Sequence, residues 1–181
     1  MVAANEQGFT GKIYFIGITS MSTMSISCFL LNFFSTTFYS AYLLACYDAD
    51  TEEFQSVCKI GTGFSDEDLK TLAESLNKHV IPTKSSQYNV SDQLECDVWF
   101  DAVQVWEVKA ADLSKSSAHR GAEGKTGEEG RGIGLRFPRF ERLRDDKRPE
   151  EATTSDQILE MYYAQDTIVG GDDGDMDDDG I

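Results

Sequence analysis

Six basic side chains crowd the stretch from Arg136 to Arg148: Arg136, Arg139, Arg142, Arg144, Lys147 and Arg148. Three acidic ones, Glu141, Asp145 and Asp146, stand among them. A guanidinium fork grips two phosphate oxygens at once, and an ammonium adds a compact point charge. The cluster therefore has the side-chain chemistry to hold a polyanion. The formal net charge of −16 argues the other way. A polyanion, however, meets the local potential, and locally this stretch is basic. Basic residues on a strand also make ordinary solvated faces, so the cluster alone decides nothing. Metal chemistry has less support. Cys28, Cys46, Cys58 and Cys96 form no CxxC pair, and with only His79 and His119 beside them no zinc-ligand pattern assembles. The thiols read as reduced core or near-surface residues of a cytosolic or nuclear protein. His79 reads as a surface residue at a helix end rather than a ligand.

Those residues need a scaffold. Ala41–Tyr47 is apolar on both faces, as a buried strand is. Asp48-Ala49-Asp50 makes a turn. Glu53–Ile60 then alternates, with Phe54, Cys58 and Ile60 expected on one face and Gln55 and Lys59 on the other, so the two segments predict a hairpin. Ser65 followed by Asp66, Glu67 and Asp68 is a helix start. Leu69, Leu72, Ala73, Leu76 and Val80 fall on one stripe of that helix, which Pro82 is expected to stop. Residues 83–97 read as loop. Val103–Ala110 is a strand with Trp106, Val108 and Ala110 facing the core. Residues 114–131 read as a long polar loop. Gly134–Arg144 is a last strand interrupted at Pro138. A short helix is expected over Ser155–Gln165, packing through Ile158, Leu159, Tyr162 and Tyr163. Six aspartates in residues 172–179 cannot bury apolar surface, so 166–181 is expected to be a disordered acidic tail.

The order strand, strand, helix, strand, strand, helix predicts a mainly β domain over residues 39–165. It fits a five-stranded OB-type barrel, with a helix between strands three and four, whose first strand is missing or replaced. Residues 1–38 stand apart. No charge occurs from Ile13 to Tyr47, but serines and threonines dilute the stretch below what a membrane span requires, and membrane association is the less favoured reading. Ile13–Ile18 is a candidate for the absent strand. Without one, the sheet has an open edge that invites aggregation.

Three segments carry a resemblance. The first is Ala41-Tyr42-Leu43-Leu44-Ala45-Cys46-Tyr47-Asp48, continuing through Glu53-Phe54-Gln55-Ser56-Val57-Cys58-Lys59-Ile60-Gly61-Thr62-Gly63-Phe64-Ser65-Asp66. The second is Val105-Trp106-Glu107-Val108-Lys109-Ala110-Ala111-Asp112-Leu113-Ser114. The third, and most specific, is Leu135-Arg136-Phe137-Pro138-Arg139-Phe140 with Arg142, Arg144, Asp146, Lys147 and Pro149-Glu150-Glu151-Ala152-Thr153-Thr154-Ser155. Together they resemble the C-terminal OB-fold domain of eukaryotic ATP-dependent DNA ligases of the ligase I type.

The resemblance implies a part of an enzyme that seals nicked duplex DNA in replication and repair, with ATP and Mg2+ as the parent's cofactors and a nuclear location. It implies that Arg139, Arg142, Arg144 and Lys147, in the family's last nucleotidyl-transferase motif, reach the leaving phosphates, with Asp146 orienting a neighbouring cation. It also implies that Phe137 wedges against the minor groove beside Arg136, as apolar wedges do, and that Lys59 and Lys109 are candidate phosphate contacts. On residue type alone, Phe137 and Trp106 would each be core.

The departures bound the expectation. No KxDG occurs; the only Asp-Gly pairs are Asp173-Gly174 and Asp179-Gly180. The chain is therefore expected to lack the adenylation nucleophile, to bind no metal or cofactor by itself, and to seal nothing without the family's adenylation domain. Glu141 stands where the family is usually apolar. Lys12–Ser40 has the composition of pyrimidine-rich codons, and residues 1–38, up to about Ser40, are expected to be translated intron. Transcripts joining the Ala41 strand to an upstream exon would bear that out, and transcripts retaining the segment in frame would refute it. The alternatives are a stand-alone, non-catalytic DNA-binding module and a membrane-associated fragment.

Overall fold

The computed structural model describes residues 4–5, 8–9, 13–20, 39–127 and 129–169. Cys28 and residues 170–181 of the expected acidic tail lie outside them. Two short strands, β1 (Ala4–Asn5) and β2 (Gly8–Phe9), pair with each other. The domain proper is built on five strands: β3 (Ile13–Ser20), β4 (Tyr42–Asp48), β5 (Glu53–Ile60), β9 (Val105–Lys109) and β12 (Arg139–Arg144).

Strand β3 pairs antiparallel with β4 on one side and β9 on the other. Strand β4 continues to β5, and β9 to β12. The two ends then meet: Phe140 N donates to Thr62 O at 3.0 Å and Thr62 Oγ1 to Pro138 O at 2.8 Å. Farther along β5, Ser56 O accepts from Arg120 N and Gly121 N, at 2.8 and 3.0 Å. The connectivity is that of a closed OB barrel. The first strand is replaced rather than missing, and Ile13–Ser20 fills its place.

Helix α1 (Asp66–Leu76) lies between the third and fourth barrel strands in chain order. Ser65 caps it reciprocally with Asp68. Leu72, Ala73 and Leu76 are buried beneath it. The stripe ends earlier than its spacing suggests. A 3-10 turn (Asn77–His79) follows Leu76, and Val80 starts β6 (Val80–Ile81), largely exposed. Pro82 therefore lies beyond a helix already stopped. Strands β7 (Tyr88–Asn89) and β8 (Val98–Phe100) punctuate the connection that follows.

Two apolar clusters explain why β4 is apolar on both faces. Tyr42, Leu44 and Cys46 point into the barrel with Ile13, Phe15, Cys58, Ile60, Trp106, Val108 and Phe140. Leu43 and Ala45 point outward, beneath Ile16, Ile18, Phe54, Tyr88, Val90 and Val105. Strand β5 departs from its expected alternation. A bulge between its pairings with Leu44 and Ala45 inserts Val57, which joins the inner cluster beside Cys58, and Phe54 falls in the outer cluster. Gln55 is buried rather than outward: its Nε2 donates to Asp48 Oδ2 at 3.1 Å and its Oε1 accepts from Ala122 N at 2.8 Å.

The segment after β9 also differs. Strand β10 (Asp112–Ser116) pairs with β11 (Gly132–Arg136), so the long loop begins only after Ser116. What reads as one strand broken at Pro138 is two strands, β11 and β12, with Phe137 at the corner in a left-handed conformation (φ 53°). Helix α2 (Ser155–Val169) runs past its expected end at Gln165, with Ile158 and Met161 buried. No helix among the described residues is long and apolar enough to cross a membrane, and Tyr42–Tyr47 is a strand of the barrel wall.

Candidate nucleic-acid interface

Pairing of β9 with β12 sets the register of the basic cluster. Arg139 stands opposite Lys109, Phe140 opposite Val108, Arg142 opposite Glu107 and Arg144 opposite Val105. The skipped residue is Glu141, at a bulge. Phe140 thus points inward, stacked on Phe64 at 4.6 Å and edge-on to Trp106 at 5.5 Å. Arg139, Arg142 and Arg144 share the outer face with Lys109. The bulge explains how Glu141 is tolerated: it reaches across to Lys109, with Nζ to Oε2 at 2.8 Å. Exposed pairs of this kind contribute little stability, so exchanging Glu141 for another anion would cost Lys109 little.

At the centre of that face sits Glu107, a charged residue only 5% exposed. Its carboxylate accepts from Arg142 Nε at 2.8 Å and Arg144 Nη1 at 3.2 Å. Arg144 also grips Asp146 through Nε and Nη2, both at 2.6 Å. The Arg144 hydrogen bonds hold the Asp146 carboxyl down to about 2. From β3, Tyr14 stands opposite Glu107. Its ring lies 4.6 Å from the Arg144 guanidinium carbon and 4.9 Å from Lys147 Nζ, a double cation–π arrangement. The candidate cations Arg139, Arg142, Arg144, Lys147 and Lys109 are therefore gathered on one surface. Glu107 and Tyr14 belong to it as well, and sequence reasoning missed both. Glu107 sits inside a quoted motif between apolar residues, where its parity with Lys109 was the available signal.

The other candidates lie at the margin. The corner between β11 and β12 carries Phe137, 73% exposed, with the Arg136 guanidinium 5.2 Å from its ring centre. Arg136 pairs weakly with Asp112 at 3.5 Å. An exposed aromatic side chain on a positive-φ residue is costly twice over, in hydration and in backbone strain. Phe137 is thus no core residue, whereas Trp106 is fully buried. Lys59 is exposed on β5, and His79 is exposed at the end of its 3-10 turn. Among the described residues no group of three or more His, Cys, Asp or Glu stands close enough to hold a metal.

The loop after β10 is pinned by Lys125. Its Nζ lies 2.7 Å from Asp156, 3.1 Å from Asp50 and 3.4 Å from the buried Asp48, and 3.1 Å from Ser155 Oγ. Burial works against the charge on Lys125, but the hydrogen bonds to Asp156 and Asp50 and the Asp48 charge outweigh it and raise its pKa. The network ties β4, the loop and helix α2 together and makes no demand for a ligand.

His119, in the same loop, has a buried Nδ1 without a hydrogen-bond partner among the described residues. Burial lowers its pKa from 6.5 to about 4. The folded state therefore resists protonation that the unfolded chain accepts, so stability is full above the unfolded value and falls as the pH drops from 6.5 toward 4. The loss is expected to reach roughly 1 to 3 kcal/mol. Urea melts at pH 7.0, 6.0 and 5.0 should show it, and His119→Asn should flatten the trend. An unchanged slope in His119→Asn would assign the acid sensitivity to carboxylates instead.

The chain matches the family described as ATP dependent DNA ligase C terminal region over residues 35–147. It belongs to that family. Across 130 residues it is 57% identical to DNA ligase 1 of Drosophila melanogaster, a match covering 72% of this chain and 17% of that protein. DNA ligase 1 of Dictyostelium discoideum is 50% identical over 155 residues, 85% of this chain and 13% of its own length. The chain thus spans about a sixth or less of the length of these two relatives. The ligase domain of LigD from M. tuberculosis superposes with a TM-score of 0.54 at 18% identity, covering 79% of this chain and 38% of that one, which supports the shared fold. The family region begins at residue 35, so strand β3 lies outside it.

Proposed function

We propose that this domain is the OB-fold part of a nuclear, ATP-dependent ligase that seals nicks in duplex DNA. The supporting observation is the surface where Lys109, Arg139, Arg142 and Lys147 stand together beside the exposed Phe137. The donor set is guanidinium and ammonium, which suits phosphate oxygens and not a divalent cation. The phosphates of ATP, and then those of the DNA backbone, are what these residues would face. Magnesium, in this reading, is held elsewhere in the parent protein. ATP supplies the adenylate that activates the 5′-phosphate; the present residues bind and orient anionic oxygens. Phe137 lies against the minor groove beside the nick. The adenylation lysine belongs to the partner domain, and residues 1–38 are read as translated intron.

Fluorescence anisotropy with a fluorescein-labelled nicked duplex tests this. Binding should weaken steeply with salt, the log–log slope growing by roughly 0.9 for each phosphate neutralised. Phe137→Ala should lose the preference for nicked over intact duplex while keeping most of the salt slope. The chain alone should seal nothing; mixed with a separate adenylation domain it should restore sealing that Arg139→Ala abolishes. Equal, salt-insensitive binding of nicked, intact and non-nucleic polyanions would reject the proposal.

A further inference from the structure

The three β12 arginines are not equivalent. Arg144 has each of its guanidinium nitrogens engaged: Nε and Nη2 on Asp146, Nη1 on Glu107. Its side chain is only 14% exposed, and Tyr14 covers it. Arg142 is held by one nitrogen only. Nε donates to Glu107 at 2.8 Å, the side chain is 59% exposed, and its two terminal nitrogens have no partner among the described residues. A guanidinium anchored at Nε presents its remaining edge as a fixed fork, the geometry that meets phosphate bidentately.

We infer that Glu107 is a positioning residue: it clamps Arg142 by Nε so that the terminal nitrogens face a phosphate, while Arg144 serves as the brace that holds Glu107 in place. The anionic ligand is the phosphate of the proposed DNA or nucleotide, so the inference rests on that reading. Its physical logic is entropic. An exposed arginine loses much rotamer freedom on binding, and an arginine already clamped has less to lose. Glu107 can do this because β9 places it directly opposite Arg142 and because the bulge at Glu141 puts both Arg142 and Arg144 on its side of the sheet.

Substitution of Glu107 gives a signal whose sign separates two roles. A carboxylate that merely subtracts charge from a basic face would, once neutralised, let DNA bind more tightly. A carboxylate that aims Arg142 would, once neutralised, weaken binding. Glu107→Gln should weaken nicked-duplex binding, by about tenfold if one charged hydrogen bond is lost. Arg142→Ala should do the same and lower the salt slope by roughly 0.9. Glu107→Gln added to Arg142→Ala should change nothing further. Tighter binding by Glu107→Gln, or additive effects of the two substitutions, would overturn the inference. The unsubstituted chain supplies a readout without DNA and without risk of misfolding. In a 15N–1H spectrum the Arg142 Nε–H signal should be resolved and slow to exchange. An Arg142 signal averaged with free arginine overturns the clamp whatever the DNA result. A clamped signal in a chain that ignores DNA would reject the ligase reading and leave the Glu107 geometry standing.

Discussion

A chain shortened to residues 39–181 is expected to lose its cooperative thermal transition. The shortened chain lacks β3, and with it Ile13, Phe15, Ile16 and Ile18, none of which has measurable exposure. Burying a large apolar side chain contributes about 1.5–3 kcal/mol, so four together approach the whole net stability of an ordinary domain, about 5–15 kcal/mol. The geometry compounds the loss. Strand β3 pairs with both β4 and β9, and its removal opens two hydrogen-bonding edges in the middle of the sheet. The shortened chain should elute as aggregate and show no sharp melt by circular dichroism. Phe15→Ala in the full chain is the milder form of the same test, with an expected cost of about 3–5 kcal/mol. A shortened chain that melts sharply near the full-length temperature would mean that the barrel closes some other way.

That strand marks where sequence reasoning reached its limit. Ile13–Ile18 has the right residues for a buried strand, but pattern alone does not say which edge it joins, and the family match begins only at residue 35. The elements that were legible are those with local causes. Ser65 and Asp68 cap a helix by contacts within one turn, and β4 shows its two-sided burial in its own composition. The misread elements depend on distant partners. Nothing in Glu53–Ile60 announces a bulge, because the bulge is a property of its pairing with β4. The alternation from Gly134 to Arg144 looks continuous because Phe137 hides a corner that glycine would have advertised.

The candidate site divides in the same way. The cations were legible by type, and the quoted motifs placed them. Their inequality was not, because it arises across strands: Glu107 from β9 and Tyr14 from β3 decide which guanidinium is occupied and which is presented. Phe137 was legible only through the resemblance. By residue type it belongs in the core, and its exposure is what makes a surface role the better account.

The second large effect is expected at Gly63, where the barrel closes. Its φ is +96°, and a Cβ there would stand 2.5 Å from Phe140 O, 2.6 Å from Phe140 N and 2.7 Å from Arg139 Cγ. Two of those atoms are backbone atoms of Phe140, the second residue of β12, so the clash cannot be relieved by rotating a side chain. Gly63→Ala must push β12 away from Thr62, breaking the 3.0 Å bond from Phe140 N and prising apart the Phe64–Phe140 stack. Backbone strain at positive φ costs about 1–3 kcal/mol and overpacking a further 1–3 kcal/mol, so a loss of about 2–6 kcal/mol is expected. Gly124→Ala separates the two contributions. Its φ is +80°, but nothing lies within 4 Å of the added methyl, so it should cost the strain alone. Denaturant melts of both variants give the difference, which measures how tightly the end of β5 holds β12. Because Arg139 begins that strand and Arg142 follows it, Gly63→Ala should also blunt anion binding even at temperatures where the domain is fully folded. Equal costs for the two variants would show that β12 yields freely, and the rigid presentation of its arginines would fall with the closure.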